Sequence, residues 1–346
     1  MRFRTTRSPA ASGSDGTPAD DAAAATVPTT MRRASSAGPG QPLRIATVPV
    51  PEPTMDELLI RVVAAGANPV DAATREGRGV APQIAAYPTA PGFDFSGVVV
   101  RAPYEAHPLA PGTEVYGMTA FPRVSGSFAE YVVAASHSVA AKPAKLSHVE
   151  AAAVPLAALT AWQLVVETAR AHEGQRILIH AGAGGVGHLA VQLASYFGAH
   201  VTTTSSPRNA AWLRELGADV VVDRTTTRFE DVVPQVDVVL DLVGDGGDRT
   251  GSRSLGVLRR GGLLVTVPRG GWQGFSEAGA DAGVRTTSFT VAPDGAALAT
   301  LARLFDAGDL AVYVDQVHPL ARADAALDAV RDGHARGKIV VDVGAG

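Results

Sequence analysis

The sequence predicts an α/β chain, with an irregular β-rich domain followed by a doubly wound parallel sheet covered by helices on both faces. Two observations carry that reading. From Leu43 to about Ala140 the apolar runs are short and strand-like, with Pro/Gly turns between them. From Val149 onward, helix-length patterns alternate with short aliphatic strands, the pattern of βαβ units on a parallel sheet. The size agrees, since 346 residues suit two domains better than one core. With 46% hydrophobic and 18% charged residues the chain can bury a sizeable interior, which excludes a wholly disordered or fibrous protein.

Taken in order, residues 1–38 are predicted as a disordered tail, because the first thirty are rich in Ala, Ser, Thr, Pro and Arg and have little to bury. They lack the apolar core of a secretory signal. Arg2, Arg4 and Arg7 hint at a transit peptide, Asp15, Asp20 and Asp21 argue against one, and Met31 is a candidate translation start. Leu58–Val63, Gly97–Val100 and Glu130–Val133 read as strands, with Pro111-Gly112 as one of the turns between them. Lys142-Pro143 ends this part and sets a boundary near residues 145–155. The longest apolar stretch, Ala151–Val166, is broken by Pro155, Thr160 and Gln163. It falls short of the ~20 residues of a membrane span, so no membrane partner is expected. The strands Ile177–Ile179, Val201–Thr204, Val220–Val222, Val236–Leu240 and Leu263–Val267 follow. Ala296–Phe305 then reads as a helix stopped by Gly308, Asp324–Val330 as a second helix, and Lys338–Val341 as a final strand.

Charge and cysteine content narrow the function further. Thirty Lys+Arg against 34 Asp+Glu leave −4, with no basic block, so nucleic acid is not an expected partner. The count of zero cysteines removes disulfides, thiol nucleophiles, Cys-ligated zinc and iron–sulfur clusters, and suits a cytoplasmic chain.

The most informative stretch is Ile177-Leu178-Ile179-His180-Ala181 running into Gly182-Ala183-Gly184-Gly185-Val186-Gly187. An amphipathic pattern follows, with Val186, Leu189, Ala190, Leu193, Ala194 and Phe197 on one face and Gly198 as the stop. Strand before and helix after are the context that a dinucleotide-binding GxGxxG motif requires. Gly182 is expected to allow the tight turn, Gly184 to let backbone N–H groups reach a pyrophosphate, and Gly187 to let the helix pack on the strand. The helix N-terminus offers the phosphates free donors and the positive end of its dipole.

The next strand discriminates between dinucleotides. An NAD site places an acidic residue about 20 residues beyond the motif, against the ribose 2′-hydroxyl. Here His200–Thr204 runs into Ser205-Ser206-Pro207-Arg208-Asn209, with no Asp or Glu. Two hydroxyls and a guanidinium suit a 2′-phosphate, so NADPH is the expected cofactor.

With these residues in view, the chain resembles the medium-chain dehydrogenase/reductase superfamily in its zinc-independent quinone oxidoreductase-like branch. The resemblance spans about residues 31–346. It rests on Ala64–Asp71, Pro91–Val99, Gly126–Tyr131, Leu159–Trp162, the glycine loop, Leu216–Asp219 and Arg336–Val340, in that order. It implies a GroES-like catalytic domain, residues 39–152 and 292–346, with a Rossmann NADP-binding domain, residues 153–291, inserted between them. It also implies catalysis in the interdomain cleft and a homodimer. Carried over by position, it puts Asn68 near the nicotinamide, Thr160 near the cofactor and Gly182, Gly184, Gly185, Val186 and Gly187 around the pyrophosphate. Ser205, Ser206 and Arg208 would take the 2′-phosphate, while Asp241, Val243 and Val267 would line the nicotinamide side. Arg224 stands where relatives often carry an aromatic residue against the adenine.

Zinc-dependent relatives have a Cys in the segment matching Asn68, a Gly-His-Glu where this chain has Gly92-Phe93-Asp94, and a lobe of four cysteines. None of these is present, and the histidines show no close ligand pair, so no metal is expected. His180 and His188 read as structural. Reducing an isolated carbonyl concentrates charge on one oxygen, where zinc acts as a Lewis acid. Hydride sent to an enone β-carbon or a quinone ring spreads charge over a conjugated system, where a few donors suffice. The expected substrate is therefore a quinone or an α,β-unsaturated carbonyl. Asn68 and Tyr87 are the candidate donors, with Tyr131 a further possibility. Asp71 and Asp94 sit in motif turns and read as structural; Arg75 either orients substrate or supports the fold.

Two alternatives stay open from sequence: an enoyl-thioester reductase of secondary metabolism, and a non-catalytic NADPH-binding protein that kept the fold. For the homodimer, the edge strand near Thr287–Val291 is the expected seam, because an unpaired edge templates pairing.

Overall fold

The computed structural model describes residues 27–122, 126–268 and 271–344. It opens with a hairpin in which β1 (Thr30–Ser35) pairs antiparallel with β2 (Arg44–Pro49), Thr30 opposite Pro49 and Ser35 opposite Arg44. This corrects the expectation of a tail through residue 38. Met31 and Ala34 are buried, the Ala34 amide donates to the Phe128 carbonyl at 2.9 Å, and the Arg32 guanidinium pairs with Glu130. These partners lie about a hundred residues downstream, out of reach of local composition. Residues 1–26 lie outside the described residues.

The β-rich lobe contains β3 (Glu57–Ala67), β4 (Asp94–Arg101), β5 (Glu114–Met118), β6 (Tyr131–Ala135) and β7 (Val139–Ala141). The nucleotide lobe contains β8 (Arg176–Ile179), β9 (His200–Ser205), β10 (Val220–Asp223), β11 (Val236–Asp241), β12 (Leu258–Thr266) and β13 (Arg285–Ser288). Two last strands, β14 (Val314–Pro319) and β15 (Lys338–Asp342), return to the first lobe, where Ile339 pairs with Ala67 and Asp342 with Ala64. The order there is β14-β15-β3-β4-β5-β7, with β6 also on β3. The end of the chain thus completes the sheet that its beginning started.

The second sheet is parallel throughout and ordered β10-β9-β8-β11-β12-β13. Its aliphatic strands, such as Ile177–Ile179 and Val238–Leu240, are buried on both faces, as helix-covered parallel strands must be. The chain reverses direction across the sheet between β8 and β11, which opens a crevice at their carboxyl ends. β13 is an outer strand, as an edge seam needs, but it spans Arg285–Ser288; Phe289, Thr290 and Val291 lie beyond it. No helix among the described residues is long and apolar enough to cross a membrane.

Candidate functional site: a dinucleotide cleft

The glycine loop connects β8 to the helix Gly187–Tyr196 at that crevice. Its left-handed residue is Ala181, with φ 54°. Gly182 fits its expected role in the tight turn, because a Cβ there would lie 2.0 Å from Thr203 Oγ1 on the neighbouring strand. Gly187 fits its expected role, since a Cβ would come 2.2 Å from the Ala181 carbonyl. Gly184 has only that same carbonyl near it, at 3.3 Å, and lines the cleft. Gly185 is pressed against the Lys338 side chain, whose Cδ would be 2.9 Å from an added Cβ. The loop is therefore thin where strand and helix meet and open where a ligand's phosphates would lie.

The cleft has a volume of about 530 Å³. Its walls gather Ala183 and Gly184 from the glycine loop, Ser205, Ser206 and Arg208 from the end of β9, Arg224 from the end of β10, and Val243 after β11. The Ser205 and Ser206 hydroxyls each accept from Asn209 Nδ2, at 3.1 and 3.2 Å, and that amide fixes the short loop. Arg208 donates to the His334 carbonyl at 2.6 Å. The Arg224 amide donates to the Ser205 carbonyl at 3.0 Å, which ties the two loops together. Arg253 also faces the cleft but is neutralised by Glu230 at 2.6 Å and Asp248 at 2.9 Å. Its bond to Glu230 helps hold that carboxyl down at about 2.

Residues 333–338, from the other lobe, form a strap across the glycine loop. The Gly337 amide donates to the Ala183 carbonyl at 2.9 Å. Arg336 lies over the Trp212 ring at 4.9 Å. Gly337 has φ 75°, and a Cβ there would fall 2.3 Å from the Tyr313 carbonyl, so only glycine lets the strap pass so close. His188 supports the loop from behind. Its Nδ1 lies 2.9 Å from the Gly184 carbonyl and Nε2 accepts from the Tyr313 amide at 3.3 Å, while burial drives its pKa down to about 4. His180, at the cleft floor, lies between Thr204 Oγ1 at 3.1 Å and Ser254 Oγ at 2.9 Å. Burial lowers its pKa to about 3. Both rings are neutral structural supports.

Asn68 sits in a second network, buried but not sealed, with Asn68 2% and Lys338 4% exposed. It caps the helix Pro69–Arg75, where its amide donates to Asp71 Oδ2 at 2.9 Å. Its Nδ2 donates to Asp94 Oδ2 at 2.9 Å, and its Oδ1 accepts from Lys338 Nζ. Lys338 Nζ also donates to the Ala67 carbonyl at 3.1 Å and reaches Asp94 Oδ2 at 3.5 Å. Asp94 Oδ1 accepts from the Leu156 amide at 2.7 Å, and Asp71 Oδ1 from the Gly92 amide at 3.0 Å. Burial raises both carboxyls, that of Asp71 up to about 7, and lowers the Lys338 ammonium. The Asn68 amide is thereby oriented, with its oxygen on the cation and one N–H on the carboxylate. Among the described residues no cluster of three His, Asp or Glu side chains is arranged to hold a metal ion.

The remaining expected positions separate from these two centres. Tyr87 has a buried hydroxyl without a hydrogen-bond partner and lines a slot of about 20 Å³ with Ser36, Thr74 and Arg75, apart from the dinucleotide cleft. That slot and the dinucleotide cleft share no lining residue. Thr160 Oγ1 donates back to the Leu156 carbonyl at 2.7 Å. Asp241 uses one oxygen for the Val243 and Gly244 amides, at 3.0 and 2.8 Å, and the other for Thr266 Oγ1 at 3.2 Å. It shapes the loop and offers no free group, whereas Val243 lines the cleft. Val267 backs the same loop, its amide bonded to the Asp241 carbonyl at 3.0 Å. Arg75 pairs with Asp324 at 2.9 Å and Asp328 at 2.7 Å, which joins two helices of the β-rich lobe. Sequence reasoning missed Lys338, although a lysine opening an aliphatic final strand was a signal. It also set Arg224 aside for not being aromatic.

A glycine turn at the switch point of a parallel sheet, closed by a strap from a β-rich lobe, is the arrangement in which dinucleotides bind. Residues 54–144 match the family model described as the alcohol dehydrogenase GroES-like domain, and residues 216–341 that of the zinc-binding dehydrogenases. A 2-methylene-furan-3-one reductase from Solanum lycopersicum is 37% identical over 306 residues, covering 86% of this chain and 74% of that protein. An NADPH-dependent alkenal/one oxidoreductase, chloroplastic, from Arabidopsis thaliana is 34% identical, with 86% and 74% covered. The solved quinone oxidoreductase from Coxiella burnetii superimposes with a TM-score of 0.85 at 35% identity, over 91% of this chain and 99% of that one. The chain belongs to the medium-chain dehydrogenase/reductase superfamily, in its quinone and enone oxidoreductase-like branch.

Proposed function

We propose that the protein uses NADPH to reduce a quinone, or the C=C bond of an α,β-unsaturated carbonyl, without zinc. The observation that carries the cofactor is the end of β9, where Ser205, Ser206 and Arg208, which has no ion pair among the described residues, line the cleft at the place of an acidic residue in an NAD site. A 2′-phosphate gains charge-assisted hydrogen bonds there that a ribose hydroxyl does not. The cradle fits a dinucleotide: Gly184 presents bare backbone to the cleft, and the helix Gly187–Tyr196 that follows has the positive end of its dipole at this turn. Gly184, Ser205, Ser206, Arg208 and Val243 would hold the cofactor, which supplies hydride when bound.

The substrate follows from the donor set. At positions 68 and 93 the chain carries an amide and a phenyl ring; Phe93 is buried edge-on to Phe121 at 4.9 Å. The centre beside them is held by the Lys338 ammonium, which already serves Asn68 and Asp94. Such a set can orient a carbonyl and donate one hydrogen bond, since Asn68 Nδ2 keeps a second N–H beyond the one given to Asp94. One donor of this kind is worth about 2–4 kcal/mol of barrier, which suits an acceptor that delocalises the incoming charge. The names of the tomato and Arabidopsis relatives describe such substrates.

The test is NADPH and NADH oxidation with 1,2-naphthoquinone, a short alkenal and a crotonyl thioester, before and after prolonged chelation. Turnover with NADPH on the first two, unaffected by the chelator, is expected. Exclusive turnover of the thioester would move the reading to an enoyl-thioester reductase, and tight NADPH binding with no turnover to a binding protein. The same reading makes the protein a homodimer through the outer edge of β13. Light scattering should give twice the chain mass at micromolar concentration; a monomer would refute the seam.

A further inference from the structure

Among the described residues three guanidiniums line the cleft, and they differ in what neutralises them. Arg253 has two carboxylates. Among the described residues Arg208 and Arg224 have no ion pair, and both are exposed on the cleft wall. Arg208 comes from the loop after β9 and spends one N–H on the His334 carbonyl of the strap. Arg224 comes from the next strand end and is anchored to the nucleotide lobe alone. Asp223 pairs in register with Ser205, and the Arg224 amide bonds to the Ser205 carbonyl at 3.0 Å. Arg224 and Ser205 therefore share a stretch of the cleft wall. The one carboxylate beside it in the chain, Asp223, accepts from the Thr225 amide at 2.9 Å, Thr225 Oγ1 at 2.6 Å and Thr226 Oγ1 at 3.0 Å. It spends its hydrogen bonds on its own loop and feels the Arg224 charge through space without forming an ion pair.

We infer that Arg224 is a specificity-determining residue, a second cation that grips the adenosine 2′-phosphate together with Arg208, Ser205 and Ser206. The inference rests on the NADPH reading above and deepens it. A phosphate monoester near neutral pH carries close to two charges, which a single guanidinium leaves partly uncompensated. Two guanidiniums from separate strand ends offer paired forks and balance that charge. A guanidinium can also stack flat on an adenine ring, and that role would serve NADH and NADPH equally. The two roles are thus separable by which ligand responds.

Calorimetric titration of the full-length protein with 2′,5′-ADP and with 5′-ADP makes the separation. Arg224→Ala is expected to weaken 2′,5′-ADP by about tenfold or more and to leave 5′-ADP within about twofold. Arg224→Lys keeps the charge and loses the fork, so it should recover part of the loss. The salt dependence of 2′,5′-ADP binding should flatten in the alanine variant. Equal weakening of both ligands, or no change in either, would overturn the inference. If the wild type prefers 2′,5′-ADP and Arg208→Ala erases the preference while Arg224→Ala does not, the NADPH reading stands and this inference fails. A wild type that binds both ligands equally takes both down.

Discussion

The cleft mouth and the Asn68 centre are both charged, yet they are built on opposite rules. At the mouth, Arg208 and Arg224 face solvent and form no ion pair among the described residues. At the centre, Lys338, Asp94 and Asp71 are buried, and each meets partners on several sides. Solvated cations can wait for a ligand because water compensates them at little cost. A buried ammonium has no such reserve and must be satisfied by the protein itself. The contrast separates groups that bind from groups that hold the binding groups in place.

The largest expected effect comes from breaking the enclosed network. Lys338→Met would leave Asp94 and the Asn68 carbonyl oxygen without their cation. Removing one partner of a buried pair costs about 3–5 kcal/mol, so the urea midpoint should drop steeply. Because the Lys338 stem also braces Gly185, NADPH affinity should fall with it. A variant as stable as the wild type would remove the distinction drawn between the two regions.

Next in size is a pH effect from the neutral imidazoles. His180 titrates at about 3 and His188 at about 4 in the folded chain, against about 6.5 in an unfolded one. Each folded value is depressed, so the unfolded chain binds more protons as pH falls below about 6.5. The stability they contribute is complete above that pH and is lost progressively toward 3–4. Each histidine steepens the loss by up to roughly 1.4 kcal/mol per pH unit. Denaturant midpoints at pH 7 and pH 5 should differ less in His180→Gln than in the wild type. An identical difference would place His180 in water rather than between Thr204 and Ser254.

At the mouth itself the expected effect is on preference rather than stability. Arg208→Ala should lower the NADPH-to-NADH ratio of kcat/KM by about tenfold while moving the melting temperature little. Among the described residues its guanidinium bonds only to a strap carbonyl, and Arg224 still lines the cleft. A ratio near unity in the wild type, unchanged in the variant, would mean that the mouth does not read the phosphate.

The same contrast explains what was legible in the sequence. The parallel sheet was readable because its strands carry a continuous aliphatic signal and its turn a spaced glycine motif, both local. Ser205, Ser206 and Arg208 were readable because they follow that motif at a fixed interval. β1 was not, since Met31 and Ala34 gain their burial from residues near Phe128 and Glu130. Nor was the Asn68 centre, which joins side chains at positions 68, 94 and 338 through a strand pairing that closes the first lobe with the last segment. The left-handed Ala181 escaped for another reason: glycine is the expected holder of positive φ, and here the glycines are placed by steric contact instead.

Arg75 gives the smallest effect and tests the contrast from its midpoint, because it is neither enclosed nor waiting. Its side chain is 8% exposed, while its partners Asp324 and Asp328 are 36% and 45% exposed. Water reaches the carboxylates and screens the pairs, so their joint contribution stays near ~1 kcal/mol. Arg75→Ala should therefore lower the denaturation free energy by about that amount, through looser docking of Pro69–Arg75 on Ala323–Asp332. The KM for a quinone should not move, because the guanidinium points at a neighbouring helix rather than into the cleft. A raised KM at unchanged stability would return Arg75 to the substrate-orienting role that its sequence position allowed. Exposure of the partners, more than burial of the arginine, decides which outcome is expected.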